Sequence, residues 1–185
     1  MLELETQVRP ATTADAQALS SLSAALFPLG CPANTKPEDL AEYIRQELTT
    51  ERFRTLLEDD RNVILAANIS NTLAGYAFIC RGSAPPHKQV SVGFELRKFY
   101  IDAAYHGRGV ANALMKEVLA ITANEPEATL WLSVFSGNER AISFYKKWGF
   151  HTAGTQVFLV GTDCQQDYLM QHGPATETKE NYPCR

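Results

Sequence analysis

At 185 residues, with 45% hydrophobic and 21% charged residues, the chain has the size and make-up of one soluble globular domain. Its formal net charge of −4 provides no basic footprint of the kind nucleic-acid binding needs, and suits a cationic ligand better than an anionic surface. The start, MLELETQVRP, is not that of a signal peptide, and no stretch reaches the ~18 apolar residues of a membrane span, so a cytoplasmic location is expected.

ETQVRP reads as a short strand ending at Pro10. Thr13 is then expected to cap a helix in which Leu19, Leu22 and Leu26 recur at helical spacing. PLGCPANTKP, from Pro28, reads as a loop. Pro37 suits the first turn of a second helix, with Leu40, Tyr43 or Ile44, and Leu48 as its buried stripe, and a short helix is expected from Thr50 to Leu57. RNVILAANI and LAGYAFICRG flank SNT as a hairpin, and SAPPHKQVS is a polar loop before the strand GFELRKFYI.

After YHGRGVAN, the residues Val110 or Ala111, Leu114, Val118 and Ile121 share one face of a helix that must end before Pro126. ATLWLSVF is a strand, and NERAISFYKKWGF a helix with Asn138 as N-cap and Gly149 as its stop. AGTQVFLVG and QDYLMQ are expected to pair as closing strands. The order is that of one α/β domain over residues 1–172 around a mixed sheet, with 173–185 a polar tail. The strands on either side of the glycine motif should lie parallel. Cys31, Cys80, Cys164 and Cys184 form no CxxC or Cys/His pair at ligand spacing, so reduced thiols and no metal are expected.

HGRGVAN is no Walker loop, because no GK[ST] follows, and it is a poor dinucleotide fingerprint, because Asn112 takes the place of the third glycine. A plain tight turn remains open for an isolated glycine pair. Unpaired N–H groups at a helix start, with Gly107 and Gly109 to let the backbone come close and Arg108 to add charge, describe an anion pocket.

With these residues in view, Tyr105–Ala111 resembles the Q/R-x-x-G-x-G/A signature of the GNAT superfamily of N-acetyltransferases, which grips the diphosphate of acetyl-CoA. FYID before it resembles that family's pantetheine-binding strand end, and NERAISFYKKWGF its N-x-x-A-x-x-[FL]-Y-x-x-x-G-F element. The resemblance implies a seven-stranded, mostly antiparallel mixed sheet with a central parallel pair and flanking helices. It also implies that acetyl-CoA, without a metal, is held by Phe99, Tyr100, Ile101, His106, Gly107, Arg108, Gly109, Val110, Ala111, Asn112, Asn138 and Tyr145. His106 stands where the family has Gln or Arg.

Acetyl transfer needs a neutral nucleophile, a polarised carbonyl and a proton for the leaving thiolate. The resemblance casts Tyr145 as that acid and Glu95 as the base, with a water relay as the other route; a packing role for Tyr145 beside Phe144, and a pairing of Glu95 with Arg97 or a neighbouring strand, stay open. Family members that place a glutamate five residues before the asparagine differ from this chain, which has Ser133 there. Without a bulge, strand alternation puts Glu95, Arg97, Phe99 and Ile101 on one side.

For the acceptor, residues 38–60 hold eight acids (Glu38, Asp39, Glu42, Glu47, Glu51, Glu58, Asp59, Asp60) against Arg45, Arg52 and Arg54. GTDCQQDYLM resembles the closing strand of PaiA-type polyamine acetyltransferases, which implies Asp163 and Asp167 near the cleft, with a structural hydrogen bond as the other role open to Asp167. A polyamine such as spermidine or spermine is the leading expectation. A protein N-terminus or lysine is the alternative, and an idle acyl-CoA-binding domain is the alternative of another class. A homodimer stays open.

Overall fold

The computed structural model describes residues 5–85, 92–125 and 128–172. The expected tail, most of the Pro85-Pro86 loop and Pro126 lie outside them. The elements follow in the order β1 (Gln7–Pro10), α1 (Ala16–Gly30), α2 (Pro37–Glu47), α3 (Thr50–Glu58), β2 (Asn62–Ile69), β3 (Thr72–Ser83), β4 (Gly93–Ile101), α4 (Val110–Ala123), β5 (Thr129–Phe135), α5 (Glu139–Lys147), β6 (Phe150–Val160) and β7 (Asp163–His172). The strands form one seven-stranded sheet in the order β1-β2-β3-β4-β5-β7-β6. Every neighbouring pair is antiparallel except β4 and β5, which are parallel around α4 as the sequence predicts.

Both sheet faces are covered, which explains why β3 is apolar nearly throughout rather than alternating. On one face, Val110, Leu114, Met115 and Val118 of α4 and Ile142 and Tyr145 of α5 pack on Leu65, Ala77, Ile79, Leu96 and Leu132. On the other, Ala16 and Leu19 of α1 and Phe53 of α3 pack on Ile64, Tyr76 and Phe78. The β2–β3 hairpin turns at Ser70 and Asn71, whose φ of 46° and 68° are the left-handed values a two-residue turn needs.

Three local readings change. A 3₁₀ turn over Thr13–Asp15 precedes α1, and Thr12, not Thr13, is its cap: the Thr12 N–H donates to Asp15 Oδ2 at 2.7 Å. Arg9 donates twice to the same carboxyl, at 2.7 and 2.8 Å, and holds it down at about 2. The helix does not stop at Pro28 but runs through it to Gly30. Proline tolerates helical φ and loses only one hydrogen bond so near the end, while buried Phe27 stacks on Tyr43 at 4.2 Å and holds the last turn down.

The third change resets β4. Phe78 pairs with Lys98 and Ile79 with Leu96, so Arg97 is an extra residue, a β-bulge. Arg97 and Lys98 therefore share a side: the Arg97 guanidinium lies over Phe78, and the Lys98 ammonium over Tyr43 and Tyr100. Phe99 meets Phe144 and Tyr145 on the opposite side. The expected grouping of Glu95 and Arg97 with Phe99 and Ile101 is thus broken at the bulge.

The parallel pair rests on a close approach. A Cβ on Gly93 would overlap the Thr129 carbonyl oxygen and meet its nitrogen at 2.7 Å, and neither atom is free to move aside. Gly93→Ala should therefore destabilise the fold by about 2–3 kcal/mol, lowering Tm by about 4–12 °C in a thermal melt.

Candidate active site

Parallel pairing of β4 with β5 covers only Gly93–Thr129, Phe94–Leu130 and Glu95–Trp131. Beyond Glu95 and Trp131 the strands part. The β4 edge that faces β5 is left without a strand partner from Leu96 to Ile101, and a gap opens through the sheet. One cavity lies on each side of it, and Leu96, Arg97, Lys98, Ser133 and Phe135 are among the residues that line both.

The cavity on the α4 side, about 560 Å³, contains most of the residues expected to hold the cofactor. Gly107 and Gly109 have φ of 77° and 81°, and a Cβ at either would meet nothing within 4 Å. Glycine is there for its backbone freedom and for the open space beside it. The first intrahelical bond of α4 runs from the Ala113 N–H to the Gly109 carbonyl at 2.9 Å, so the N–H groups of Val110, Ala111 and Asn112 point unpaired out of the helix start. A diphosphate fits such a cradle. The donor set is narrower than the sequence suggests, since the Arg108 N–H already donates to the Tyr105 carbonyl at 3.3 Å. Its guanidinium lies over the Tyr105 ring, and the side chain does not line the cavity. His106 does line it, but its Nε2 sits 3.2 Å from the Ile101 carbonyl, which makes the ring a brace between the loop and the end of β4.

Asn138 accepts the Ala141 N–H at 3.1 Å and caps α5, while its residue also lines the cavity. That cap orients α5 so that Tyr145 faces the gap, wedged edge-on against Phe99 at 6.2 Å and Phe144 at 5.7 Å. Tyr145 is only 8% exposed. Burial raises its pKa, so the phenol keeps its proton throughout the neutral range.

On the other side a cavity of about 460 Å³ is walled by the α1 end, α2, α3 and β4–β7. Glu95 lines it rather than the cofactor side. Its Oε2 accepts from the Ser83 hydroxyl at 2.6 Å and from Arg97 Nε at 2.7 Å. Lys98 and Tyr43 were not among the expected site residues. Burial lowers the Lys98 ammonium to about 8, and raises the Tyr43 phenol to about 12. Asp167 is 6% exposed and accepts the Ser133 hydroxyl at 2.6 Å. Asp163 does not reach this cavity. It accepts from Thr35 at 2.9 Å and Gln165 at 3.3 Å, and so fastens the loop before α2 to β7.

The acidic segment is also less available than its composition implies. Glu42, Glu47, Glu51 and Asp59 are paired with Arg45, Arg52, Arg54 and Arg61. Asp39 accepts from the Thr162 N–H and hydroxyl in the β6–β7 turn. Among the described residues no cluster of three metal-ligating side chains occurs, and no helix is long and apolar enough to cross a membrane.

Because Gly109 combines left-handed φ with open space toward the helix start, Gly109→Ala should cost about 1 kcal/mol of stability. It should also weaken acetyl-CoA binding by tenfold or more, since the new methyl stands in the cradle. Calorimetric titration beside a thermal melt separates the two effects.

The acetyltransferase (GNAT) family model matches residues 26–150. An uncharacterized N-acetyltransferase of Mycobacterium tuberculosis is 38% identical over 156 residues, 84% of this chain and 96% of the relative. The N-alpha-acetyltransferase RimI of Mycobacterium tuberculosis is 30% identical over 144 residues, 77% of each chain. Among solved structures, the PaiA N-acetyltransferase from Thermoplasma acidophilum, in complex with coenzyme A, shares the fold with a TM-score of 0.73 and 19% identity, covering 91% of this chain and 98% of that one. The chain belongs to the GNAT family and is an acetyl-CoA-dependent N-acetyltransferase.

Proposed function

We propose that the enzyme acetylates a small primary amine in the cytoplasm by direct attack, with the two substrates meeting through the gap between β4 and β5. The observation that carries this reading is the pair of cavities joined at Leu96, Ser133 and Phe135, with Tyr145 on one side and a carboxylate-bearing pocket on the other. Acetyl-CoA supplies the thioester and the leaving sulfur. The unpaired N–H groups of Val110–Asn112 hold its diphosphate, and the open β4 edge from Leu96 to Ile101 offers backbone donors to the pantetheine arm and the carbonyl oxygen. Tyr145, protonated because it is buried, donates to the departing sulfur. The amine's proton leaves on the opposite side. Glu95, the base expected from sequence, already has Oε2 engaged by Ser83 and Arg97, which leaves only its other oxygen, or an intervening water, to serve a proton transfer.

A polyamine acceptor is supported by the closing-strand likeness of GTDCQQDYLM and by the shared fold with PaiA. A second reading, the α-amino group of a peptide or amino acid, is favoured by two observations. RimI is a relative at 30% identity, and the acceptor-side pocket holds Arg52, Arg97 and Lys98 beside its acids, which a polycation must approach.

Tyr145→Phe should reduce kcat by ~10²–10⁴-fold while leaving the acetyl-CoA Kd near wild type. Because burial raises the phenol's pKa, the wild-type profile should show no loss from Tyr145 ionisation through mildly alkaline pH. Unchanged kcat in the variant, with chemistry established as rate-limiting, removes Tyr145 from the mechanism. For the acceptor, kcat/KM should be compared for spermidine, spermine, free amino acids and short peptides, at low and moderate salt. The polyamine reading expects spermidine or spermine to lead and to lose ground as salt screens the attraction. Peptides or amino acids leading by tenfold establish the α-amine reading instead.

A further inference from the structure

We infer that Asp167 is the carboxylate that receives the acceptor's ammonium and takes its proton before attack. The inference rests on the acetyltransferase reading above and deepens it by putting Asp167 in place of Glu95 as the proton's acceptor.

Three observations converge on this side chain. First, Asp167 stands on β7 directly opposite Phe135, a residue common to both cavities, and lines the acceptor side of the gap. Second, its two oxygens are treated differently. Oδ2 is held by the Ser133 hydroxyl at 2.6 Å, and that hydroxyl in turn accepts from the Gln156 amide at 2.6 Å, whereas Oδ1 is buried with no partner. An unpaired buried carboxylate oxygen is costly unless something arrives to satisfy it. Third, among the described residues Asp167 makes no ion pair, while Glu95, in the same cavity, is neutralised by Arg97 at 2.7 Å. Asp167 thus has a free oxygen and no cation beside it, and burial raises its pKa, which favours uptake of a proton.

Ser133 gives this arrangement its logic. Where the family resemblance leads one to look for a glutamate on β5, the chain has a hydroxyl. That hydroxyl positions a carboxylate reaching across from β7 instead. The acidic and basic groups that share the cavity are Glu47 of α2, Arg52 of α3 and Glu95, Arg97 and Lys98 of β4, with the Cys31 thiol and the Tyr43 and Tyr100 phenols also lining it. The step is a proton transfer. One N–H bond of the ammonium breaks, an O–H bond forms at Oδ1, and nitrogen keeps the electron pair with which it attacks. The carboxyl then returns its proton to water in the open cavity.

Asp167→Asn preserves the shape and an acceptor for Ser133 but removes the charge. Its kcat/KM for the best amine should fall by ~10²–10³-fold near neutral pH and recover toward wild type as pH approaches the amine's own pKa. Acetyl-CoA affinity and Tm should be nearly unchanged. In calorimetry with coenzyme A present, the same amine should bind at least tenfold more weakly to the variant. Ser133→Ala, which frees Oδ2, should shift the acidic limb of the profile to higher pH and lower the rate less. Wild-type kcat/KM and pH profile in Asp167→Asn overturn the assignment. So does a loss equal at every pH and accompanied by a fall in Tm, which marks a structural hydrogen bond only. A displaced acidic limb in Glu95→Gln but not in Asp167→Asn assigns the proton to Glu95. If the wild type binds acetyl-CoA but turns over no amine, the acetyltransferase reading falls first, and this one with it.

Discussion

Backbone hydrogen bonding between β4 and β5 extends over three residue pairs and then ends, and the site exists because of where it ends. Up to Glu95 and Trp131 the strands are forced together so closely that Gly93 has no room for a side chain against Thr129. Past that point α4 and its glycine turn occupy the space at the strand ends, and the sheet opens. A parallel pair needs a crossover, and the crossover helix presents its N-terminus at the carboxyl end of β4. The anion cradle, the exposed strand edge and the passage through the sheet are thus three outcomes of one parallel connection in an otherwise antiparallel sheet.

The bulge at Arg97 matters almost as much. It sits where β4 leaves its pairing with β5, and it turns Arg97 and Lys98 toward α1–α3 while Phe99 and Ile101 turn toward α5. Hydrophobic residues therefore back the tyrosine, while Arg97 and Lys98 stand at the gap and line both cavities. One inserted residue thus brings two cations to the gap and turns the aromatic Phe99 the other way.

Elements made by short-range patterns could be read from the sequence. The hairpin at Ser70–Asn71, the Asn138 cap, Gly149 with φ of 84° and the parallel β4–β5 pair all stand as their residues predict. Tyr145 lies on the cofactor side and Glu95 on the acceptor side, and neither side follows from the strand or helix alone. The bulge could not be read, because FELRKFYI alternates acceptably with or without it. Nor could the swapped order β5-β7-β6, which sets Asp167 against Ser133 across 34 residues of sequence. Lys98 was hidden for a related reason: a lysine on a strand ordinarily reaches solvent, and only the rings of Tyr43 and Tyr100 enclose this one. The acidic run at 38–60 misled in the opposite direction, since composition cannot show which carboxylates already have arginines beside them.

The fastening of α2 to the β6–β7 turn also bears on how the molecule assembles. Asp39 and Thr35 bond to residues 123 to 130 positions away, at Thr162, Asp163 and Gln165. The glycine turn and α4, by contrast, belong to one β-α-β unit whose parts are neighbours along the chain. Closing a long loop is entropically dearer than closing a short one, so contacts of such separation are expected to form late in folding. The two halves of the site therefore differ in cooperativity. Loosening the clasp would disturb the wall of the second cavity, to which α2 and β7 contribute, and leave the α4 cradle with its own short-range contacts intact.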